Sequence, residues 1–211
     1  MEFKQKEALR YLRAKPGDKA AEILVDTVYL KLRNEVQARY ILQKHAITAD
    51  EAGVTLDCGV RFHSRALARH LKGCDTVLLM GATLGSRVDA ARRLALISVA
   101  EGAAAQAVAA ALIESYCDEV QAQAETGGLL QRPRFSPGYG DWPLEEQRQL
   151  FAVLNCAKRI GLTLTDGLMM APSKSVTAII GLSEDAACVQ NKCMTCSNIN
   201  CPYRDTDIKK V

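Results

Sequence analysis

A loop rich in proline and glycine, residues 134–143, restricts the fold of this chain most. It contains the only tryptophan and two of the six prolines. Within it, Ser136-Pro137-Gly138-Tyr139 has proline second and glycine third, which predicts a type II turn, because proline fixes φ and glycine accepts a positive φ. Such a turn brings Ser136 and Tyr139 within about 7 Å of each other. We expect Arg134, two residues earlier, to point at the same spot.

The loop combines groups that suit a small molecule bearing a carboxylate. A guanidinium fork from Arg134, exposed backbone amides and the Tyr139 phenol would all lie on one rigid turn. An ordinary turn in front of a helix is the simpler interpretation of the same spacing. The residues alone leave both interpretations open.

Length and composition limit the classes of function. The 211 residues suit one domain, or one domain with an appendage, and 48% hydrophobic content is enough for a core. The net charge of +3 is spread along the chain without a Lys/Arg block, so neither nucleic acid nor a membrane surface is an expected partner. The N-terminus resembles no signal peptide, and no apolar run reaches the roughly 20 residues that span a bilayer. We therefore expect a cytoplasmic protein.

The hydrophobic pattern predicts an α+β fold. The predicted helices are residues 3–14, 18–36, 64–71, 87–96, 97–124 and 144–160, and the predicted strands are 52–59, 75–81, 162–165 and 176–180. Residues 39–43 are interpreted as an extension of the second helix. The last two strands are interpreted as an antiparallel pair.

Some local motifs have a structural interpretation. The glycine-spaced segment 81–86 precedes a helix and could hold an anion, but its spacing fits no nucleotide-binding motif, so a tight turn is favoured. Ser86 and Asp89 resemble a capping box for that helix. Met169 and Met170 are predicted to pack in the core.

Four of the eight cysteines are bunched in a polar C-terminal tail. They are Cys188, Cys193, Cys196 and Cys201. Because the tail has too few apolar residues to pack by itself, four thiolates around a metal would order it. A zinc ion and a [4Fe–4S] cluster both fit four cysteines, and redox-active free thiols remain the alternative.

Two sequence motifs follow each other along the chain. The first is Arg-x-x-Pro-Gly-Tyr at residues 134–139, with a proline four residues later. An amphipathic helix separates it from the second, GLTLTDGLMMAPSKSV at residues 161–176. Together they resemble the C-terminal activation domain of cobalamin-dependent methionine synthase. The resemblance implies a twisted, mainly antiparallel sheet flanked by helices. It divides the chain into an activation-like domain, residues 1–185, and a Cys-rich metal or cluster-binding tail, residues 186–211.

The resemblance implies a function in reactivating a corrinoid enzyme. The family binds S-adenosylmethionine and transfers its methyl group to cobalamin carried by another module, which rescues oxidised cob(II)alamin by reductive methylation. As a free-standing protein, the chain would act on a partner methyltransferase such as methionine synthase. An electron donor such as flavodoxin or ferredoxin would be a second partner, and this need for electrons favours iron–sulfur over zinc in the tail.

The motifs also imply ligand-binding residues. Arg134 would hold the ligand carboxylate, the backbone at Ser136 and Gly138 would hold its polar groups, and Tyr139 would stand between S-adenosylmethionine and the corrin. The second motif contributes Pro172 and Ser175 to the same cleft. Outside the family pattern, Asp141 would favour the cationic sulfonium.

The chain departs from the family in two ways. The acidic ligand-binding residue near the family domain's N-terminus has no clear counterpart, and the cysteine tail replaces an aromatic, Tyr-bearing segment. These departures leave open a non-catalytic protein that docks on a corrinoid protein through its metal-binding tail, or a small electron-transfer protein.

Overall fold

The fold is built on an antiparallel sheet. The computed structural model describes residues 1–94 and 98–185. The strands are β1 (Arg39–Ala49), β2 (Gly53–Leu56), β3 (Arg61–His63), β4 (Thr76–Thr83), β5 (Leu130–Gln131), β6 (Thr163–Leu164), β7 (Met170–Ala171) and β8 (Ser175–Ser183). Six of them form one sheet in the order β3-β2-β1-β4-β8-β5, with every pair antiparallel. The predicted α+β fold with a mainly antiparallel sheet is confirmed.

Seven α-helices accompany the sheet in the described residues. They are α1 (Gln5–Leu12), α2 (Lys19–Leu32), α3 (Arg65–His70), α4 (Ser86–Leu94), α5 (Val99–Ala122), α6 (Gln147–Leu154) and α7 (Cys156–Ile160). Two predicted N-caps are present. The Asp18 carboxylate accepts a hydrogen bond from the Ala21 amide (3.0 Å), and the Ser64 hydroxyl accepts one from the Leu67 amide (2.9 Å).

The central strand β4 contributes to two hydrophobic cores. Because successive side chains of a strand point to opposite faces, Leu78 and Met80 enter one core while Val77 and Leu79 enter the other. Helices α1, α2, α4 and α5 supply the first core, and α3, α6 and α7 supply the second. Helices therefore cover both faces of the sheet.

The interpretation of residues 39–43 as helix is wrong. These residues begin β1, which pairs with β4 over eight positions, from Arg39 opposite Thr83 to Ala46 opposite Thr76. Its far end also pairs with β2. Partners distant in sequence thus override a local pattern that continued the helical spacing of α2.

Three details of other elements also differ from the sequence interpretation. The helix expected at 144–160 is interrupted at Asn155, whose φ of 52° ends α6 before α7 begins. Strand β6 pairs with β7, while β8 pairs with β4 and β5, so the last two predicted strands are not partners. Met169, predicted to be in the core, is 66% exposed.

The capping box expected at Ser86 is not formed. Ser86 is already helical, and the Asp89 carboxylate instead accepts hydrogen bonds from the Ser173 amide (2.6 Å) and hydroxyl (2.7 Å). Asp89 also pairs with Arg92. The side chain expected to cap α4 therefore fastens the segment before β8 to that helix.

Among the described residues, no helix is both long and apolar enough to cross a membrane. The four tail cysteines lie outside the described residues. Their role and the domain boundary at residue 185 stay predictions.

Candidate functional site

The loop before α6 forms the predicted turn. The Tyr139 amide donates to the Ser136 carbonyl (3.0 Å), and Gly138 has a φ of 90°. Two further bonds tighten the loop, from the Gly138 amide to the Trp142 carbonyl (2.9 Å) and from the Trp142 amide to the Tyr139 carbonyl (3.0 Å). The type II turn is confirmed, and its backbone is fixed on both sides of Tyr139.

A buried carboxylate anchors the loop to the rest of the molecule. The Trp142 indole N–H donates to Glu146 (2.8 Å), which also accepts from the His63 amide (2.9 Å) and lies 2.8 Å from His63 Nδ1. Trp142 is 1% exposed and its ring packs against Phe62. One carboxylate therefore joins the site loop to β3.

Asp141 has a different role from the one inferred for it. Its carboxylate accepts hydrogen bonds from the Ser64 hydroxyl (2.5 Å) and from the Arg65 (3.1 Å) and Ala66 (2.9 Å) amides. These bonds, led by that of Ser64, hold the pKa of Asp141 below its usual range. Asp141 thus stabilises the N-terminus of α3, and it does not line the cleft described next.

A cleft of about 160 Å³ lies beside the turn. Four residues predicted from the motifs line it, namely Arg134, Ser136, Tyr139 and Ser175. The other lining residues are Glu114, Pro137, Gln147, Met170, Val176 and Thr177. Arg134 of the first motif and Ser175 of the second, 41 positions apart in the sequence, therefore meet at one place.

Arg134 is the charged centre of this cleft. Its Nη2 lies 2.8 Å from a Glu114 carboxylate oxygen and 2.9 Å from one of Asp118, and Nη1 donates to Gln121 Oε1 (3.0 Å). The arginine side chain is 10% exposed, whereas the two carboxylates are 42% and 47% exposed. Helix α5 thus presents two carboxylates, one turn apart, to a nearly buried guanidinium.

The surroundings set the protonation of two site residues. Burial alone would raise the pKa of Asp118, but hydrogen bonds from Lys4 and Arg134 outweigh it and hold that pKa below its usual range. Burial, and then the charge of Glu114, raise the pKa of Tyr139. Near neutral pH, Asp118 is therefore an anion and Tyr139 a neutral hydroxyl.

Asp118 should make the stability of the fold sensitive to acid. Because its pKa is lower in the folded than in the unfolded state, its contribution is present above about pH 4 and is lost as the pH falls through the folded value. Half-exposure limits that contribution to about 0.5–1 kcal/mol. Urea unfolding should show Asp118→Asn less stable than wild type by this amount at pH 7, with the gap closing towards pH 3.

The matched control is Asp75→Asn, an exposed carboxylate for which the described residues provide no ion pair. Its difference from wild type should stay small at both pH values. A gap for Asp118→Asn that is constant from pH 7 to pH 3 would contradict the lowered pKa.

Two predicted residues, Gly138 and Pro172, do not line the cleft. Gly138 supplies the positive φ of the turn, and its Cβ position faces Leu144. Pro172 lines a separate hollow of about 700 Å³ next to α4. Ser175 connects the two places, because its hydroxyl is hydrogen-bonded to the Pro172 carbonyl (2.7 Å) and to the Thr83 hydroxyl (2.8 Å).

A larger hollow, about 1100 Å³, lies elsewhere, between α3, the residues just before β4 and the β1–β2 turn. It contains none of the residues predicted from the motifs. The smaller cleft is the better candidate, since a nearly buried cation, a carboxylate and a phenol line it, whereas size alone does not identify a site.

Glu114 is a residue of the cleft that sequence reasoning missed. Its one signal is its place in α5, between buried Ile113 and Ser115, where a charged residue calls for a partner. The partner, Arg134, is 20 residues away and was visible only in the folded structure.

Comparisons with known proteins give one sequence match and one structural match. A sequence profile described as vitamin B12 dependent methionine synthase, activation domain, matches residues 105–195. A crystal structure of the MetH reactivation domain bound to AdoHcy superposes with a TM-score of 0.63 and 16% sequence identity, covering 84% of this chain and 70% of that one. A search of curated protein sequences finds no significant match. Residues 105–195 thus resemble the activation domain of vitamin B12-dependent methionine synthase in sequence, and most of the chain resembles a reactivation domain in fold.

Proposed function

We propose that the chain binds S-adenosylmethionine in the Arg134 cleft and donates its methyl group to the reduced corrinoid of a partner methyltransferase. The observation that carries the proposal is the ion pair of Arg134 with Glu114 and Asp118 beside the turn. A similar fold with bound AdoHcy, the demethylated form of this ligand, supports it. The match of residues 105–195 to the activation-domain profile supports a corrinoid-binding partner.

The ion pair complements the amino-acid end of such a ligand. The ligand carboxylate would take one side of the Arg134 fork, and its ammonium would take Glu114 or Asp118. On binding, Arg134 would exchange a protein carboxylate for the ligand carboxylate. The carboxylate that it releases would exchange the guanidinium for the ligand ammonium. Binding then leaves no buried charge unpaired, which is the main cost to avoid in a partly buried site.

Tyr139 is suited to the mouth of the cleft. Its side chain is 46% exposed, and its ring packs edge-on against Phe135, with 5.7 Å between the centroids. As a neutral hydroxyl it can donate a hydrogen bond without adding charge beside a sulfonium. We infer that it separates the bound ligand from an incoming corrin and aligns the two for transfer.

The cleft would widen when a ligand of this size binds. Small-molecule pockets usually measure about 300–1,000 Å³, compared with about 160 Å³ here. Met170 and Tyr139 border it from separate segments, β7 and the turn, and both are partly exposed. Rotation of these two side chains would enlarge the space without disturbing the sheet.

The rest of the proposal concerns the partners and the tail. Residues 1–185 would form the activation-like domain. Cys188, Cys193, Cys196 and Cys201, in residues 186–211, would hold a [4Fe–4S] cluster, or zinc as the alternative. The electron would come from that cluster or from a donor such as flavodoxin or ferredoxin, and the site of action would be the cytoplasm. The other candidate function is metal-dependent docking on a corrinoid protein without methyl transfer.

Calorimetry with the full chain tests the proposal. S-adenosylmethionine and S-adenosylhomocysteine should each bind one per chain. With a corrinoid protein and a low-potential reductant, label from the S-adenosylmethionine methyl group should appear on cobalamin. Absence of binding at millimolar ligand would overturn the proposal, and a corrinoid complex formed by such a protein would favour the docking function.

A further inference from the structure

Three side chains that can bind a metal ion lie close together where the β2–β3 turn meets β1. One imidazole nitrogen of His45, one carboxylate oxygen of Asp57 and the sulfur of Cys58 lie within 4.8 Å of one another. His45 is on β1, and the other two are in the turn between β2 and β3. The cluster is separate from the Arg134 cleft, whose lining residues include none of the three.

The backbone fixes this turn against β1. The Asp57 amide donates to the Ala46 carbonyl (3.0 Å), and the Ala46 amide donates to the second carboxylate oxygen, Asp57 Oδ2 (3.1 Å). Within the turn, the Leu56 amide donates a hydrogen bond to the Val60 carbonyl (2.8 Å), and Gly59 has a positive φ of 85°. The positions of Asp57 and Cys58 relative to His45 are thus set before any ligand binds.

The hydrogen bonds of the imidazole suit replacement of a proton by a metal ion. His45 Nδ1 lies 2.6 Å from Asp57 Oδ1, within hydrogen-bond distance. The other ring nitrogen, Nε2, lies 3.4 Å from the side-chain oxygen of Gln43. With a cation bound at Nδ1, the neutral imidazole would carry its hydrogen on Nε2 and donate it to Gln43, the outer contact that orients most metal-bound histidines.

We propose that His45, Asp57 and Cys58 form a binding site for a zinc-like divalent cation. A nitrogen, an oxygen and a sulfur suit zinc, whereas magnesium and calcium favour oxygen ligands. Neighbouring ligand atoms around tetrahedral zinc are about 3.5 Å apart, as its bond lengths require, so small side-chain rotations close the site. Cys58 is exposed, which leaves a fourth position open to water.

The site is accessible, and its ligands are unevenly buried. The His45 side chain is 14% exposed, while that of Asp57 is 50% exposed. A bound cation would therefore contact the largely buried imidazole on one side and solvent on the other. This inference does not depend on S-adenosylmethionine binding.

The test uses cobalt(II) as a coloured substitute for zinc, under anaerobic reducing conditions. To remove the tail as a competitor, Cys188, Cys193, Cys196 and Cys201 are replaced by serine in the full chain. This parent protein should bind one cobalt ion per chain with a thiolate-to-cobalt absorption band, and zinc should displace it. A parent protein that shows no such band would overturn the proposal.

Single substitutions in the parent protein assign the ligands. C58S should remove the thiolate band, and H45Q and D57N should each weaken cobalt binding at least about tenfold. D50N is the matched control, because Asp50 is an exposed carboxylate of the neighbouring β1–β2 turn that pairs with Arg61. It should bind cobalt as tightly as the parent. Survival of the band in C58S, or equal weakening by D50N, would show adventitious binding and overturn the proposal.

Discussion

Arg134→Ala is expected to weaken S-adenosylmethionine binding about thirtyfold, or about 2 kcal/mol. That is the loss typical of a charge-assisted hydrogen-bonded pair. The guanidinium is nearly buried and faces two carboxylates, so its removal leaves an anionic cleft that repels the ligand carboxylate. Calorimetric titration of the full chain at pH 7 measures the change. Affinity equal to wild type would remove Arg134 from the binding site.

Two further variants test whether the loss of affinity comes from the shape of the guanidinium, from its charge or from a general effect of removing an arginine. Arg134→Lys keeps the charge but lacks the planar fork, so its affinity should lie between those of wild type and Arg134→Ala. Arg148→Ala removes an exposed arginine that donates to the Asp166 carbonyl (3.0 Å), away from the cleft. Its affinity should match wild type. Thermal unfolding of each variant checks that the fold persists at the titration temperature.

Glu146→Ala is expected to lower the free energy of unfolding by about 3 kcal/mol and the melting temperature by about 10 °C. The substitution leaves the Trp142 indole N–H and the His63 amide without their acceptor in a buried place. Each orphaned donor costs about 1–3 kcal/mol, and for a chain of this length each kcal/mol lowers the melting temperature by about 2–4 °C. Urea unfolding and calorimetric melting measure the two quantities.

Glu145→Ala is the control for this change. It removes the adjacent carboxylate of the same helical turn, which is exposed, and should change the stability by less than about 0.5 kcal/mol. Equal effects of the two substitutions would mean that the buried hydrogen bonds of Glu146 do not hold the loop.

The site loop could be predicted from sequence because local chemistry determines it. Proline and glycine at the second and third positions of a four-residue turn have few backbone alternatives. The turn at Ser136, the convergence of Arg134 with Tyr139 and the cap at Ser64 follow from rules that act over a few residues. The resemblance to a known family joined the second motif, with Ser175, to the first.

What could not be predicted depends on partners distant in sequence. Residues 39–43 form a strand because β4 lies beside them, and nothing within that segment reveals it. Glu114 enters the cleft because Arg134 returns to α5 from a loop. Asp141 caps a helix 75 residues earlier in the chain. In each case the contact that determines the structure is made by residues far apart in the sequence.

The position of β4 between two cores has a consequence for how the domain unfolds. Its side chains enter the cores alternately, and the neighbouring β8 does the same, with Ile180 on one side and Ile179 on the other. Neither layer of helices can separate from the sheet without exposing apolar side chains of β4 and β8, and the other layer packs against these same two strands. The two layers should therefore melt in a single cooperative step, and the amide hydrogens of β4 should exchange with solvent only when the whole domain unfolds.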